Sequence, residues 1–171
     1  MPHVKTNGIQ MYYEERGQGE PLILLMGLGG DGSLWEKHVR AYESYFRCIL
    51  VDNRGVGRSD KPEGPYTTGQ MAQDVLGLMN SIGIDSANVS GISMGSAVAQ
   101  EMALARPQAV KSLTLISSWD HCDTYATRIF ETLRDLHPIA AGQTFARLLQ
   151  LIIFAPDYHE RHLDEILRLR L

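Results

Sequence analysis

Four uninterrupted apolar runs constrain the fold of this chain more than any other feature of its sequence. They are PLILLM at 21–26, RCILVD at 47–52, NVSGIS at 88–93 and KSLTLIS at 111–117. Strands that are buried on both faces of a parallel sheet are continuously apolar in this way. Segments of helical periodicity follow the first three runs, and such alternation is typical of a right-handed α/β sheet. We therefore predict an α/β domain built around these strands.

Antiparallel strands precede the apolar runs, and helices alone follow them. Segments 3–6 and 9–15 flank Asn7-Gly8, a pair that suits a two-residue hairpin because both residues tolerate positive φ. Helical patterns cover 124–136, 142–154 and 158–171, with breaks at Pro138 and Pro156. The sequence thus predicts a core at 1–120 and a helical segment at 121–171.

Composition excludes several classes of function. A net charge of −4, with 44% apolar and 21% charged residues, describes an ordinary globular chain without a basic patch for nucleic acid. Cys48 and Cys122 lack the spacing of a metal site or of a disulfide framework. No apolar stretch has the length of a membrane span or the form of a signal peptide. We expect free thiols, a cytoplasmic location and no contact with a membrane.

A serine between two glycines is the first candidate for chemistry. Gly91-Ile92-Ser93-Met94-Gly95 stands where a buried strand is predicted to end and a helix to begin. A sharp turn of this kind leaves no room for side chains two residues before and two after the serine. It also brings the Ser93 hydroxyl close to the free N–H groups of a helix N-terminus, which favour negative charge. An ordinary Gly-Ser turn has the same sequence pattern, so the interpretation depends on its context.

A glycine-rich loop, MGLGGDG at 26–32, supplies part of that context. It follows the first apolar run, where a flexible backbone can present an N–H to a reacting carbonyl oxygen. The N–H groups of Leu28 and Met94 would together form an oxyanion hole. A phosphate-binding loop is the alternative, but the register of GxGxxG and the GK[ST] motif are both missing.

A third motif, DNRGVGRSD at 52–60, follows the second apolar run. By itself it predicts a tight loop held together by interactions between its charged side chains. Together with the hairpin, the glycine-rich loop and the serine at 93, it resembles the α/β-hydrolase family in the order of its motifs over residues 1 to about 120. The similarity is to small esterases, enol-lactonases, carbon–carbon bond hydrolases and proline iminopeptidases. The chain departs from many members at Met26, where they carry a histidine.

The resemblance implies a mostly parallel sheet of about six strands with an N-terminal antiparallel hairpin, followed by a helical lid. It also implies acyl transfer, in which Ser93 attacks a carbonyl carbon and water releases the acyl-enzyme. The apolar lid segment suits an uncharged ester or lactone with a small hydrophobic acyl group. No cofactor and no metal are implied.

The acid and the histidine of a catalytic triad are not accounted for. The family order is Ser, Asp, His, in which the acid usually follows strand seven and the histidine follows strand eight, and this sequence shows neither strand. One explanation is that both groups lie on another chain or segment. A second is that the chain recruits substitutes from its own helical part, and a third is a ligand-binding or interaction protein without turnover. The candidates for recruitment are the acids Asp120 and Asp123 and the bases His121, His137, His159 and His162.

Each of these histidines also has a structural interpretation. His121 adjoins Asp120, but neighbouring loop side chains seldom face each other. His137 precedes Pro138 and would cap a helix. The spacing of His159 and His162 could bind a metal ion, whereas the charged residues between them indicate a solvated face.

An open edge predicts assembly. Without further strands, KSLTLIS at 111–117 would form the edge of the sheet and invite pairing with another chain. The last helix also has an apolar stripe that needs a partner. The stripe is formed by Leu163, Ile166, Leu167 and Leu171. We expect a homodimer or a complementary chain that completes the sheet.

Overall fold

The computed structural model describes residues 2–140 and 142–169 in two compact units. The first unit ends at Trp119 and the second begins at Asp120. The strands of the first unit are β1 (His3–Thr6), β2 (Ile9–Arg16), β3 (Glu20–Leu25), β4 (Phe46–Val51), β5 (Ala87–Ile92) and β6 (Val110–Ile116). Its helices are α1 (Glu36–Tyr42), α2 (Thr68–Ser81) and α3 (Met94–Ala105), with 3₁₀ turns at Gly32–Trp35 and Pro107–Ala109. The second unit contains α4 (Thr124–Leu136), α5 (Gly142–Ile153) and α6 (Pro156–Arg168).

The six strands form one sheet in the order β1-β2-β4-β3-β5-β6. β1 and β2 pair in antiparallel fashion, as do β2 and β4, whereas β4, β3, β5 and β6 run parallel. The predicted turn joins β1 to β2, with φ of 44° at Asn7 and 82° at Gly8. The predicted mostly parallel sheet with an N-terminal hairpin is therefore confirmed. Because parallel strands end on the same side, the loops after β3, β4, β5 and β6 share one edge of the sheet.

Apolar side chains cover both faces of this sheet. On one face, Ile23, Leu25, Ile49 and Val51 belong to a large cluster that also contains the buried residues of α2 and α3. On the other face, a smaller cluster contains Trp35 and Val39 with Leu22, Leu24, Cys48 and Leu50. Burial on both faces explains why β3 and β4 are continuously apolar rather than alternating.

A buried ion pair fixes the long connection between β4 and α2. Arg54 Nε and Nη2 both donate to the carboxylate of Asp74, each at 2.6 Å. The Asn7 side chain donates to the same carboxylate at 2.7 Å, which links the hairpin turn to α2. The pair is almost completely buried, and its loss would leave an uncompensated charge in the core.

The last strand of the sheet has one neighbour. β6 pairs with β5, and its residues from Lys111 onwards are exposed. The exposed fractions of Leu113, Leu115 and Ile116 are 37%, 39% and 36%, which is unusual for apolar side chains of a parallel strand. Within the residues that the structure describes, β6 therefore forms an open apolar edge.

The second unit consists of three amphipathic helices. The Asp123 side chain caps α4 by accepting a hydrogen bond from Ala126 N at 2.7 Å. Gln150 of α5 donates to the carbonyl oxygen of Ile166 in α6 at 2.9 Å. Of the predicted stripe on α6, Ile166 is buried, Leu163 and Leu167 are exposed, and Leu171 lies outside the described residues. Across the described parts of both units, no helix combines the length and the apolar character that crossing a bilayer requires.

Candidate active site

Ser93 occupies a strained turn between β5 and α3. Its φ of 52° and ψ of −124° lie in a region that residues other than glycine rarely adopt. Ser93 N donates to the carbonyl oxygen of Ile116 at 2.9 Å, which ties the turn to the end of β6. The side chain is partly exposed, at the edge of the sheet where the parallel strands end. The backbone therefore holds Ser93 in a sharp strand-to-helix turn of the predicted kind.

The two flanking glycines are required by close backbone contacts. A methyl group at Gly91 would lie 2.7 Å from Ser96 Cα and even closer to the carbonyl group of Gly95. A methyl group at Gly95 would lie 2.7 Å from the carbonyl carbon of Leu25 and 2.7 Å from the carbonyl oxygen of Met26. Each contact is shorter than van der Waals separation. The spacing of the motif thus follows from the approach of α3 to the end of β3.

The glycine-rich loop lies against Ser93. A side chain at Gly27 would begin 3.1 Å from Ser93 Cβ and 3.6 Å from Ser93 Oγ. The loop then turns back through a hydrogen bond from Gly30 N to Gly27 O at 3.1 Å, with a φ of 77° at Gly29. Leu28, at the tip of the turn, is exposed.

Two N–H groups near the turn are free to donate. For residues 2–140 and 142–169, neither Leu28 N nor Met94 N has a backbone acceptor. Met94 is the first residue of α3, so its N–H belongs to the unpaired first turn of that helix. Free donors of this kind stabilise an oxyanion when they converge on it.

The loop at 52–60 supports the glycine-rich loop. One oxygen of the buried Asp52 carboxylate accepts from Gly32 N at 2.9 Å, and the other accepts from Arg58 N at 2.8 Å. The sequence predicted a charge-stitched loop at 52–60, but the bond to Gly32 joins residues far apart in the chain and had no signal in the sequence.

A polar network behind Ser93 was also missed. Ser96 Oγ lies 2.6 Å from the carbonyl oxygen of Ser93 and 2.9 Å from Ser118 Oγ. Gln100 Nε2 donates to Ser118 Oγ and to the carbonyl oxygen of Trp119, each at 3.1 Å. This network anchors the loop after β6 to the helix that follows Ser93. Serine and glutamine on the polar side of a helix are too common for the sequence to reveal it.

The histidines of the first unit are engaged away from the turn at Ser93. His3 Nε2 lies 3.3 Å from the carbonyl oxygen of Arg58, and the His38 ring contacts Trp35 with 5.4 Å between ring centroids. Within the described residues of the first unit, no hydrogen bond joins the Ser93 hydroxyl to an imidazole or a carboxylate. The first unit therefore contains the candidate nucleophile without a base bonded to it.

Asp120 and His121 form a pair at the start of the second unit. His121 Nδ1 lies 2.9 Å from Asp120 Oδ1, although neighbouring loop side chains were expected to diverge. The hydrogen bond from His121 is the main cause that holds the pKa of the Asp120 carboxyl below its ordinary value. Both side chains are exposed, so this contact adds little to stability. An imidazole oriented by a carboxylate through Nδ1 has its Nε2 available for proton transfer.

The other candidates have structural contacts within the second unit. Asp123 caps α4, as described above, and His137 follows α4 with its ring 5.0 Å from that of Phe145. His159 Nε2 lies 3.3 Å from the carbonyl oxygen of Gln150, whereas the His162 ring stacks on Tyr158 at 4.3 Å. α6 is kinked at His162, where φ is −134°.

Metal ligation has no support in this part of the chain. The two histidines of α6 make separate contacts rather than converging. Among the residues that the structure describes, no three His, Cys, Asp or Glu side chains are grouped to hold a metal ion.

Known proteins are similar to this chain in sequence and in fold. RutD of Azorhizobium caulinodans, which is named for carbamate hydrolysis, is 31% identical over 92% of this chain. The enol-lactonase from Burkholderia xenovorans superimposes on 96% of the chain with a TM-score of 0.90 and 28% identity. A thermophilic esterase from Thermogutta terrifontis superimposes on 99% with a TM-score of 0.89 and 25% identity.

The chain spans only part of these proteins. It covers 60% of RutD, 64% of the enol-lactonase and 65% of the esterase. The family model described as the alpha/beta hydrolase fold matches residues 20–150, which is more than half of the chain. The chain therefore belongs to the α/β-hydrolase fold family.

Proposed function

We propose that this chain carries the nucleophile of a serine hydrolase that acts on a small carboxylic ester or lactone through an acyl-enzyme on Ser93. The strained backbone of Ser93 is the observation that carries the proposal, because an outlier of this kind has an energetic cost of about 1–3 kcal/mol. Close packing of Gly91 and Gly95 maintains it. Such strain at a partly exposed hydroxyl is consistent with a role in chemistry.

In the proposed reaction, Ser93 Oγ loses its proton to a base and bonds to the carbonyl carbon of the substrate. The carbonyl π electrons move to oxygen, and the N–H groups of Leu28 and Met94 donate to that oxyanion. The oxyanion then collapses, the alkoxide leaving group takes the proton, and the acyl group stays on Ser93. Water repeats these steps and releases the carboxylic acid. Gly27 is next to Ser93, so the carbonyl oxygen would lie between the glycine-rich loop and α3.

We propose that the acid and the base come from another segment or another chain. The two histidines of the first unit contact Arg58 and Trp35 instead of Ser93, which supports this assignment. In the alternative, Asp120 and His121 supply the acid and the base. The carboxylate of a catalytic triad contacts Nδ1 of the imidazole, and Asp120 lies 2.9 Å from His121 Nδ1 in the same way. The two assignments predict different activities for a His121 variant.

The open edge of β6 is the proposed contact for a completing strand. Leu113, Leu115 and Ile116 are more exposed than side chains of an interior parallel strand, and the outer backbone groups of β6 lack a neighbouring strand within the described residues. A strand from a complementary chain or a second copy would cover both. Analytical ultracentrifugation over a range of concentrations tests this proposal. A monomer at all concentrations would contradict a homodimer.

The names of similar proteins support the proposed substrate class. A carbamate, a lactone and an ester each present a carbonyl group attached to a leaving oxygen or nitrogen, and these are the groups for which RutD, the enol-lactonase and the esterase are named. We propose an uncharged substrate, since the end of α5 exposes three consecutive apolar side chains, those of Leu151, Ile152 and Ile153. Two free cysteines are consistent with the proposed cytoplasmic location.

A fluorophosphonate probe tests the nucleophile. Wild-type protein should be labelled at Ser93, and the Ser93→Ala variant should not. Ser117→Ala is the matched control, because Ser117 also follows a parallel strand with a positive φ of 51°. Labelling that persists in Ser93→Ala would place the reactive nucleophile at another residue. An unlabelled Ser93 in folded protein would favour a ligand-binding protein without turnover or an unassembled fragment.

Histidine variants locate the base. His121, His137, His159 and His162 are each replaced by glutamine, and hydrolysis of a short-chain ester is measured. A loss confined to His121→Gln would assign the base to the pair with Asp120. Turnover that survives all four replacements would show that the base lies elsewhere.

A further inference from the structure

We propose that Asp52 is a positioning residue that fixes the glycine-rich loop at 26–32 and thereby the Leu28 N–H beside Ser93. The catalytic meaning of this inference rests on the proposed function, whereas the positioning itself is a property of the fold. Asp52 follows β4, and the loop follows the neighbouring strand β3. The carboxylate therefore lies at the same edge of the sheet as the turn at Ser93.

Both oxygens of Asp52 are used by main-chain donors. Oδ1 accepts from Gly32 N at 2.9 Å, and Oδ2 accepts from Arg58 N at 2.8 Å. The residue is 1% exposed, so water does not compete for these bonds. Hydrogen bonds to an ionised acceptor are roughly twice as strong as neutral ones. One side chain thus connects the loops that follow β3 and β4.

The glycine-rich loop has few other anchors. Its remaining hydrogen bonds are local, from Gly30 N to Gly27 O, from Leu34 N to Asp31 O and from Ser33 to the side chain of Asp31. Within the described residues, the bond from Gly32 N to Asp52 is the one that joins the loop to another element. The loop is therefore held by β3 at its start and by Asp52 at its end, with Leu28 between them.

Asp52 is itself held firmly. Asp52 N donates to the carbonyl oxygen of Tyr12 in β2, and Ser59 Oγ donates to the carbonyl oxygen of Asp52 at 2.6 Å. A methyl group at Gly57 would lie 2.6 Å from Asp52 Cγ, so this glycine is needed to admit the carboxylate. Because its backbone and its carboxylate are both held in place, Asp52 fixes the end of the glycine-rich loop relative to β2 and β4.

An aspartate at this position cannot be replaced by asparagine without loss. Both partners are donors, and an ionised carboxylate has acceptors only. In Asp52→Asn, the amide NH₂ would face either Gly32 N or Arg58 N and leave one buried N–H without an acceptor. Asparagine has the size of aspartate, so the variant changes the hydrogen bonds of the side chain and leaves its packing intact.

Amide hydrogen exchange of residues 26–32 tests the positioning. We expect exchange in the Asp52→Asn variant to be about tenfold faster than in wild type, since the bond from Gly32 N is either lost or reduced from a bond to a charged carboxylate to a bond to a neutral amide oxygen. Asp74→Asn is the matched control, because it makes the same change at an equally buried carboxylate whose partners are Arg54 and Asn7. The control should leave exchange of the loop unchanged when both variants are compared at equal folded fraction.

Three results would overturn the inference. The first is unchanged loop exchange in Asp52→Asn, and the second is an equal increase in the Asp74→Asn control. The third needs no variant: a Gly32 amide that exchanges in wild type as fast as in an unstructured chain would show that Asp52 does not hold it.

Labelling with the fluorophosphonate probe tests the catalytic meaning separately. If wild-type Ser93 reacts, we expect about tenfold slower labelling in Asp52→Asn and an unchanged rate in Asp74→Asn, because loss of one oxyanion donor has at least this effect. An unchanged rate in Asp52→Asn with faster loop exchange would refute the link to catalysis. If wild-type Ser93 does not react in folded protein, the isolated chain has no activated nucleophile, and the exchange result still decides the positioning role of Asp52.

Discussion

Replacing Gly95 by alanine is the most direct perturbation of the turn at Ser93. The added methyl group would lie 2.7 Å from the carbonyl carbon of Leu25 and 2.7 Å from the carbonyl oxygen of Met26. Leu25 ends β3, which is paired with β4 on one side and β5 on the other. The contact is therefore with backbone in the middle of the sheet and not with a flexible side chain.

The expected cost follows from this geometry. Optimal carbon separations are about 3.5–4.0 Å, so α3 or β3 has to move by about 1 Å. Overpacking of a core costs about 1–3 kcal/mol, and we expect the upper end because a central strand cannot yield locally. With a urea m-value of about 2 kcal/mol/M, a loss of about 3 kcal/mol lowers the unfolding midpoint by about 1.5 M.

Urea unfolding followed by the fluorescence of Trp35 provides the assay. Trp35 is buried in the first unit, and a Trp119→Phe background removes the second indole. Gly69→Ala is the control, because a methyl group there would meet only the Glu101 carboxylate at 3.8 Å or beyond. Alanine in a helix should raise stability by about 0.5–1 kcal/mol. The steric argument is refuted if Gly95→Ala unfolds within 0.5 M urea of wild type, a margin of about 1 kcal/mol at the same m-value.

Three further changes test the strain, one helix cap and the two thiols. Ser93→Gly should stabilise the protein by about 1 kcal/mol in urea, since glycine adopts positive φ without strain, and an unchanged midpoint would contradict this. Asp123→Ala should destabilise α4 by about 1 kcal/mol, measured by amide exchange of its first turn, because it removes the cap on Ala126 N. Burial, and to a lesser extent the charge of Glu43, raises the pKa of the Cys48 thiol. At mildly alkaline pH, a thiol reagent should therefore modify the exposed Cys122 in native protein and Cys48 only after unfolding, and rapid reaction of both would be inconsistent with this burial.

The sequence predicted those features that follow from local rules. Continuous apolar runs predicted the parallel strands, and Asn7-Gly8 predicted the hairpin turn, because in both cases the residues themselves favour the backbone conformation. The glycines at 91 and 95 predicted the turn at Ser93, because a sharp turn leaves no room for a side chain at either position. Helix limits differed by one residue in places, as in α5, which was predicted to cover 142–154 and ends at Ile153.

Features that join distant residues could not be predicted. The bond between Asp52 and Gly32 depends on β3 and β4 being neighbours, and no local pattern fixes the order of strands in a sheet. The expectation for His121 was wrong, because Asp120 Oδ1 accepts a hydrogen bond from His121 N at 2.9 Å and also lies 2.9 Å from His121 Nδ1, which keeps the two side chains together. A helical wheel places the two histidines of α6 on one face, whereas the kink at His162 separates their contacts.

The outer strand of the sheet has a consequence for the behaviour of the free chain in concentrated solution. Soluble proteins commonly place an unpaired lysine on such a strand as a gatekeeper against fibril-like stacking. The single lysine of β6, Lys111, is instead neutralised by Glu20 at 2.9 Å. Replacing Leu113 by lysine would place an unpaired positive charge on β6. This change should reduce stacking of the free chain, which turbidity of concentrated samples would measure.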